Sequence, residues 1–181
     1  MLHIKLLNEP GYQEPELSML ELVSRMESKT NFKMYMASNV YNNFLQKLLA
    51  AYLVTGADIR AIMCMTNTTA DTVKDAMNFV SNLTLDEADA TGYARVALGS
   101  EASNVDDAND RAEFDSNDIS YTSLSGDASR AYQGVVLIKF VTNDADSVPI
   151  AFVEFPTTVP ATATQVDVTV NAEGWLQAAQ G

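Results

Sequence analysis

One cysteine, one histidine and one tryptophan stand among 181 residues, and only 11 Lys and Arg face 24 Asp and Glu. The single thiol, Cys64, excludes an intrachain disulfide and is compatible with a reducing folding compartment. In the apolar run Ile62-Met63-Cys64-Met65 it reads as a small core residue. The single imidazole, His3, leaves no base for a Ser or Cys nucleophile farther along the chain, so hydrolase triads are not expected. One His and one Cys so far apart cannot supply the usual zinc ligands, and no glycine-rich phosphate loop of either common spacing occurs. No catalytic residue, metal or cofactor is therefore expected. The shortage of basic residues, with a formal charge of −13, argues against a surface that holds a phosphate backbone, so nucleic acid is not an expected partner. The longest apolar stretch, residues 48–54, is soon followed by Gly56, Asp58 and Arg60 and falls far short of a bilayer span. The opening Met1-Leu2-His3-Ile4-Lys5-Leu6-Leu7 is broken by Asn8, Glu9, Pro10 and Gly11 before a signal peptide's apolar region forms. A soluble protein with no membrane partner is expected.

What is present is 47% apolar composition, enough for one sizeable core, and an uneven charge. Residues 1–55 carry five basic and five acidic side chains, and all the net charge lies beyond them. Residues 8–15, with Pro10 and Pro15, read as an extended arm. Ser18 and Glu21 have capping-box spacing, flanked by Leu17 and Leu22, and Met19, Leu22, Val23 and Met26 share a helical face. A stronger helix is signalled by Val40, Tyr41, Phe44, Leu45, Leu48 and Leu49, with Ser38 or Asn39 to start it and Gly56 to stop it. Residues 58–66 read as a mostly buried strand, and a third short helix is expected over 69–80, where Val73, Ala76, Met77 and Val80 share a face. Strands are expected at 92–98, 119–124, 134–142, 148–155 and 165–171. In the last, Val166, Val168 and Val170 alternate with Asp167 and Thr169, as in a sheet with one wet face. Strands 134–142 and 148–155 are nearly all apolar and are expected at the centre of a sheet, joined by the turn-forming Asn143-Asp144-Ala145-Asp146-Ser147. The expected fold is mainly β: an antiparallel β-sandwich or jelly-roll-like domain with an N-terminal arm and one to three short helices. The domain division is an arm or attachment segment over 1–35 and a helix plus β domain over 36–181.

The run Asp106, Asp107, Asn109, Asp110, Glu113, Asp115, Asn117 and Asp118 offers hard oxygen ligands for Ca²⁺, yet lacks the glycine of the calcium-loop signature. It reads as a solvated loop leading into a strand. Paired carboxylates for glycoside hydrolysis could be drawn from the same run, but nothing in the sequence sets two of them across a groove. Tyr93, Phe114, Tyr121, Tyr132, Phe140, Phe152, Phe155 and Trp175 read chiefly as core, with a sugar-binding platform as the rival. Six of the eight methionines fall between Met19 and Met65, which suits either core filling or an adaptable contact surface.

Several blocks, taken in order, resemble a family of small tailed-phage virion proteins of the decoration, head fibre or minor tail type. They are Asn39-Val40-Tyr41-Asn42-Asn43-Phe44, the strand around Ile59 to Met65, Asn78-Phe79-Val80-Ser81-Asn82-Leu83, Thr91-Gly92-Tyr93-Ala94-Arg95 and Phe114-Asp115-Ser116-Asn117-Asp118-Ile119-Ser120-Tyr121. They continue with Ser147-Val148-Pro149-Ile150-Ala151-Phe152-Val153-Glu154-Phe155 and Val168-Thr169-Val170-Asn171-Ala172-Glu173-Gly174-Trp175-Leu176. Residues 1–35 have no counterpart in the short members, and the strand ending in Val170 lacks an aromatic common there. The resemblance implies a non-enzymatic structural protein, made in the host cytoplasm and located in the virion. It further implies contact with the major capsid protein or other virion subunits, and a homo-oligomer. On this reading the chain decorates the capsid and attaches through its amino-terminal segment, with Leu17, Met19, Leu22, Met34, Met36 and Tyr41 as candidate anchors in strand-addition or helix-in-groove recognition. The alternative is a tail or neck accessory protein whose β domain binds a glycan on the host surface.

Overall fold

The computed structural model describes residues 40–72 and 78–179. The arm over 1–35, its boundary, and the anchors Leu17, Met19, Leu22, Met34 and Met36 lie outside those residues, as do Val73, Ala76 and Met77 of the third expected helix. The described part is a β-sandwich-like domain of antiparallel sheets with one α-helix. In chain order it runs α1 (Asn42–Leu49), a π-helical turn (Ala50–Val54), β1 (Asp58–Met65), a 3-10 turn (Val80–Asn82), β2 (Val96–Ala97), β3 (Ala102–Asp106) and β4 (Arg111–Asp115). It continues with β5 (Ile119–Thr122), β6 (Ala131–Phe140), β7 (Val148–Pro160), β8 (Gln165–Val168) and β9 (Leu176–Ala179).

The largest sheet has the order β2-β1-β6-β7. Its centre is the ladder from Asp58 opposite Phe140 to Met65 opposite Tyr132. Both faces of this ladder are covered, which is why the two strands read as continuous apolar runs. One face presents Ile59, Ala61, Met63, Met65, Val135 and Leu137 to Phe114 of β4, Ile119 and Tyr121 of β5, and Val166 and Val168 of β8. The other presents Ile62, Cys64, Val136 and Ile138 to Val80, Leu83 and Leu85. Each large side chain buried in this way contributes roughly 1.5–3 kcal/mol of transfer free energy. Tyr121 also donates from its hydroxyl to Ala61 O across the sheets at 3.1 Å, so its buried oxygen has a partner.

Helix α1 lies on the β3-β4-β9 sheet. Gln46 Nε2 donates to Ser103 O and Ser103 Oγ donates to Gln46 O, each at 2.9 Å, and Leu49 and Leu53 reach the core. Gly56, at φ +64, ends the helical stretch in a left-handed conformation that side chains resist, as the sequence predicted.

Several expectations need correction. Strand 134–142 is central, but 148–155 is not: β7 pairs only with β6 and forms a sheet edge, with no residue fully buried. Three of the five prolines, Pro149, Pro156 and Pro160, lie on it, and proline is confined to edges because it cannot donate to a second ladder. The strand expected over 92–98 shrinks to Val96–Ala97. Ahead of it, Arg95 is held by side chains, to Glu87 and Asp144, rather than by a ladder. The acidic run is a loop only in part: Asp107, Asn109 and Asp110 form the turn of the β3–β4 hairpin, paired from Ala102 opposite Asp115 to Asp106 opposite Arg111, while Asp106, Glu113 and Asp115 lie in its strands. Ala112 and Phe114 are fully buried between charged neighbours, a period-two signal that the carboxylates conceal. Of the helix expected over 69–80, the described flanks are a turn closed by Thr72 N on Thr69 O and the 3-10 turn Val80–Asn82.

Candidate functional site

The thiol and the best-placed carboxylates of the acidic run are engaged within the fold. Cys64 is fully buried, and burial pushes its thiol up to about 12, so it is a protonated core residue rather than a nucleophile. In the acidic hairpin, Asp106, Glu113 and Glu173 lie close enough to share a cation, and the guanidinium of Arg111 already sits among them. It contacts Asp106 Oδ2 at 3.0 Å, Glu113 Oε1 at 2.9 Å, and Glu173. The side chain of Asn109, then that of Arg111, holds the Asp106 carboxyl below the usual carboxylate range. Asp118 Oδ1 accepts from Val170 N at 2.8 Å, and Asp115 Oδ1 from Ser116 N at 2.8 Å. These carboxylates act as hairpin and loop fasteners.

A second charged group ties the stretch ahead of β2 to the loop between β6 and β7. Arg95 donates to Glu87 Oε1 at 2.9 Å and Glu87 Oε2 at 2.7 Å, and to Asp144 Oδ1 at 2.5 Å and Asp144 Oδ2 at 2.9 Å. Tyr93 Oη donates to the same Glu87 and accepts from Met63 N. Arg95 holds Asp144 below the usual carboxylate range, and the two carboxylates raise Arg95 in turn. In both assemblies the carboxylates are paired with a guanidinium.

Among the described residues, the largest group of exposed apolar side chains lies on one side of α1 and the turn that follows it. The helix has two apolar faces. Leu45, Leu49 and Leu53 form the inner one. Tyr41, Phe44, Leu48 and Tyr52 form the outer one, about a third of a turn away at about 100° per residue. Their exposures are 78%, 55%, 51% and 47%. With Val40 they make up five of the eight large apolar side chains that stay exposed among the described residues, so they form a patch rather than scatter. Residues 40–56 carry one charged side chain, Lys47. At the far end, Lys139 Nζ donates to Tyr52 O at 2.8 Å and stands 3.9 Å from its ring centroid.

Of the six anchors expected from sequence, Tyr41 alone is described, and it is the most exposed member of this stripe. Phe44, Leu48 and Tyr52 were not chosen. The sequence signalled a helix with a face to bury, and only the position of the β3-β4-β9 sheet separates the buried leucines from the uncovered aromatics. Among known proteins, no family model, no curated protein and no solved structure matches the chain.

Proposed function

We propose that the chain is a non-enzymatic structural component of a bacteriophage particle: a capsid decoration protein that docks on shell subunits through its amino-terminal segment and the outer face of α1. The observation that carries this reading is the stripe Tyr41, Phe44, Leu48 and Tyr52, large apolar side chains on a nearly uncharged helix of a strongly acidic protein. Apolar anchors recurring three and four apart are what an amphipathic helix lays into a groove. The acidic charge concentrated beyond residue 55 keeps the rest of the surface in solvent and sets displayed copies apart. The ordered blocks that resemble tailed-phage virion proteins point the same way.

The test adds purified protein to particles that lack it and follows co-sedimentation. The full chain is expected to bind, in several copies per particle. Residues 36–181 alone are expected to fold and remain in the supernatant, since they lack the anchors Leu17, Met19, Leu22 and Met34. A full chain that stays free of the particle, or a truncated chain that fails to fold, would contradict the reading.

A further inference from the structure

A cleft of about 440 Å³ opens between β7, β8 and the segment leading into β9, lined among others by Val153, Val168, Thr169, Asn171, Trp175 and Gln177. That volume lies within the roughly 300–1,000 Å³ typical of small-molecule sites. None of its lining residues is charged, although the chain carries 24 carboxylate side chains. Its aromatic wall is fixed in advance. Trp175 donates from Nε1 to Ser116 Oγ and from its backbone N to Phe114 O, both at 2.8 Å. The turn before it closes through Gly174 N on Asn171 O at 2.8 Å. Gly174, at φ +75, has Phe114 O only 2.4 Å from where a Cβ would stand, so this approach of the indole to β4 requires glycine.

Around that half-buried indole are neutral hydrogen-bonding groups with capacity left over. Asn171 Oδ1 accepts from Glu173 N, and Gln177 Oε1 accepts from Arg111. Those two contacts leave the amide groups Asn171 Nδ2 and Gln177 Nε2, with the Thr169 hydroxyl, without a protein partner among the described residues. An indole beside two amides and a hydroxyl, with no charge, suits a ligand that is neutral, carries hydroxyls around its edge and offers an apolar C–H face. A pyranose ring has that character. An anion would find no cationic side chain in the lining, and a cation no carboxylate.

We propose that this cleft binds a neutral pyranose residue of a glycan, with Trp175 as the stacking platform and Asn171, Gln177 and Thr169 reading hydroxyls. The site does not depend on how the chain is attached to a particle. Trp175 is the only tryptophan, so its emission reports on this cleft alone. The full-length protein is titrated with the methyl glycosides of glucose, galactose and N-acetylglucosamine, following Trp175 emission and saturation-transfer NMR of the sugar protons. At least one glycoside is expected to give a saturable emission change with Kd of the order of 1–10 mM, as suits a ligand of about a dozen heavy atoms. Loss of one neutral hydrogen bond should weaken binding about three- to tenfold in Gln177→Ala, whose side chain is exposed, and similarly in Asn171→Ala. Trp175→Ala should abolish saturation transfer. No emission change up to about 100 mM of any of the three, about ten times the upper end of the expected Kd, would overturn the proposal. So would binding that survives unchanged in a folded Gln177→Ala and in Trp175→Ala, or equal binding of glucuronate, which shares the ring but adds charge.

Discussion

Replacing Phe44 and Leu48 together by glutamine tests whether the outer face of α1 docks. Both are about half exposed, at 55% and 51%, so the folded domain has already gained about half of what each can contribute by burial. Full burial of such a side chain is worth about 1.5–3 kcal/mol, so docking the remaining half recovers about 0.75–1.5 kcal/mol from each. The pair then accounts for about 1.5–3 kcal/mol, a factor of about 10–150 in affinity. Glutamine is a good helix former, but the halves of Phe44 and Leu48 already buried are lost with them, which costs folding a comparable amount, about 1.5–3 kcal/mol. The double variant should therefore show a lower urea midpoint, and under conditions where it stays folded its particle affinity, measured by co-sedimentation over a concentration series, should fall by about one to two orders of magnitude. Unchanged affinity of the folded double variant would show that the outer face of α1 is not a docking surface.

Three further outcomes follow from the fold and its fasteners. Phe114→Ala, at a fully buried position of β4, should cost about 3–5 kcal/mol in urea unfolding, whereas Val105→Ala on the neighbouring β3, 38% exposed, should change it by about 0.5 kcal/mol or less. Asp144 is depressed by Arg95, so its contribution is present above the ordinary carboxylate pKa of about 3.9 and is lost as pH falls through its lower folded value. Arg95→Met should flatten that acid limb of the stability profile, followed by urea midpoints from neutral pH downward. Cys64, buried with its thiol pushed up to about 12, should react with an aromatic disulfide reagent only at the rate of global opening; fast labelling of the folded protein would contradict its place in β1.

How much of this was legible depended on how plainly burial shows in residue type. The central ladder could be read because β1 and β6 are buried on both faces and carry uninterrupted apolar runs. β8 could be read because Val166 and Val168 point inward while Gln165 and Asp167 face solvent. The loop between β6 and β7 could be read because Asn143 builds it, accepting from Ala145 N and donating to Asp146. The β3–β4 hairpin escaped because its inward residues on β4 are only Ala112 and Phe114, set among Arg111, Glu113 and Asp115. Strand β9, Leu176–Ala179, is four residues long and carries no β-branched residue or apolar alternation to announce it; it becomes a strand by pairing with β4. The edge position of β7 was encoded in its prolines, a signal outweighed by its apolar content. At the candidate site, helical spacing identified α1 but could not assign its two apolar faces, because the sheet that covers one of them comes from residues more than fifty positions away.

Cryo-electron microscopy of the particle that contains this chain puts the proposed attachment in view. Density for the β domain should repeat over the shell, with Tyr41, Phe44, Leu48 and Tyr52 of each copy set against a neighbouring subunit and residues 1–35 traceable beneath it. A particle without such density, or copies whose α1 outer face stands in solvent, would contradict the account, and density confined to the tail would replace decoration with a tail accessory role.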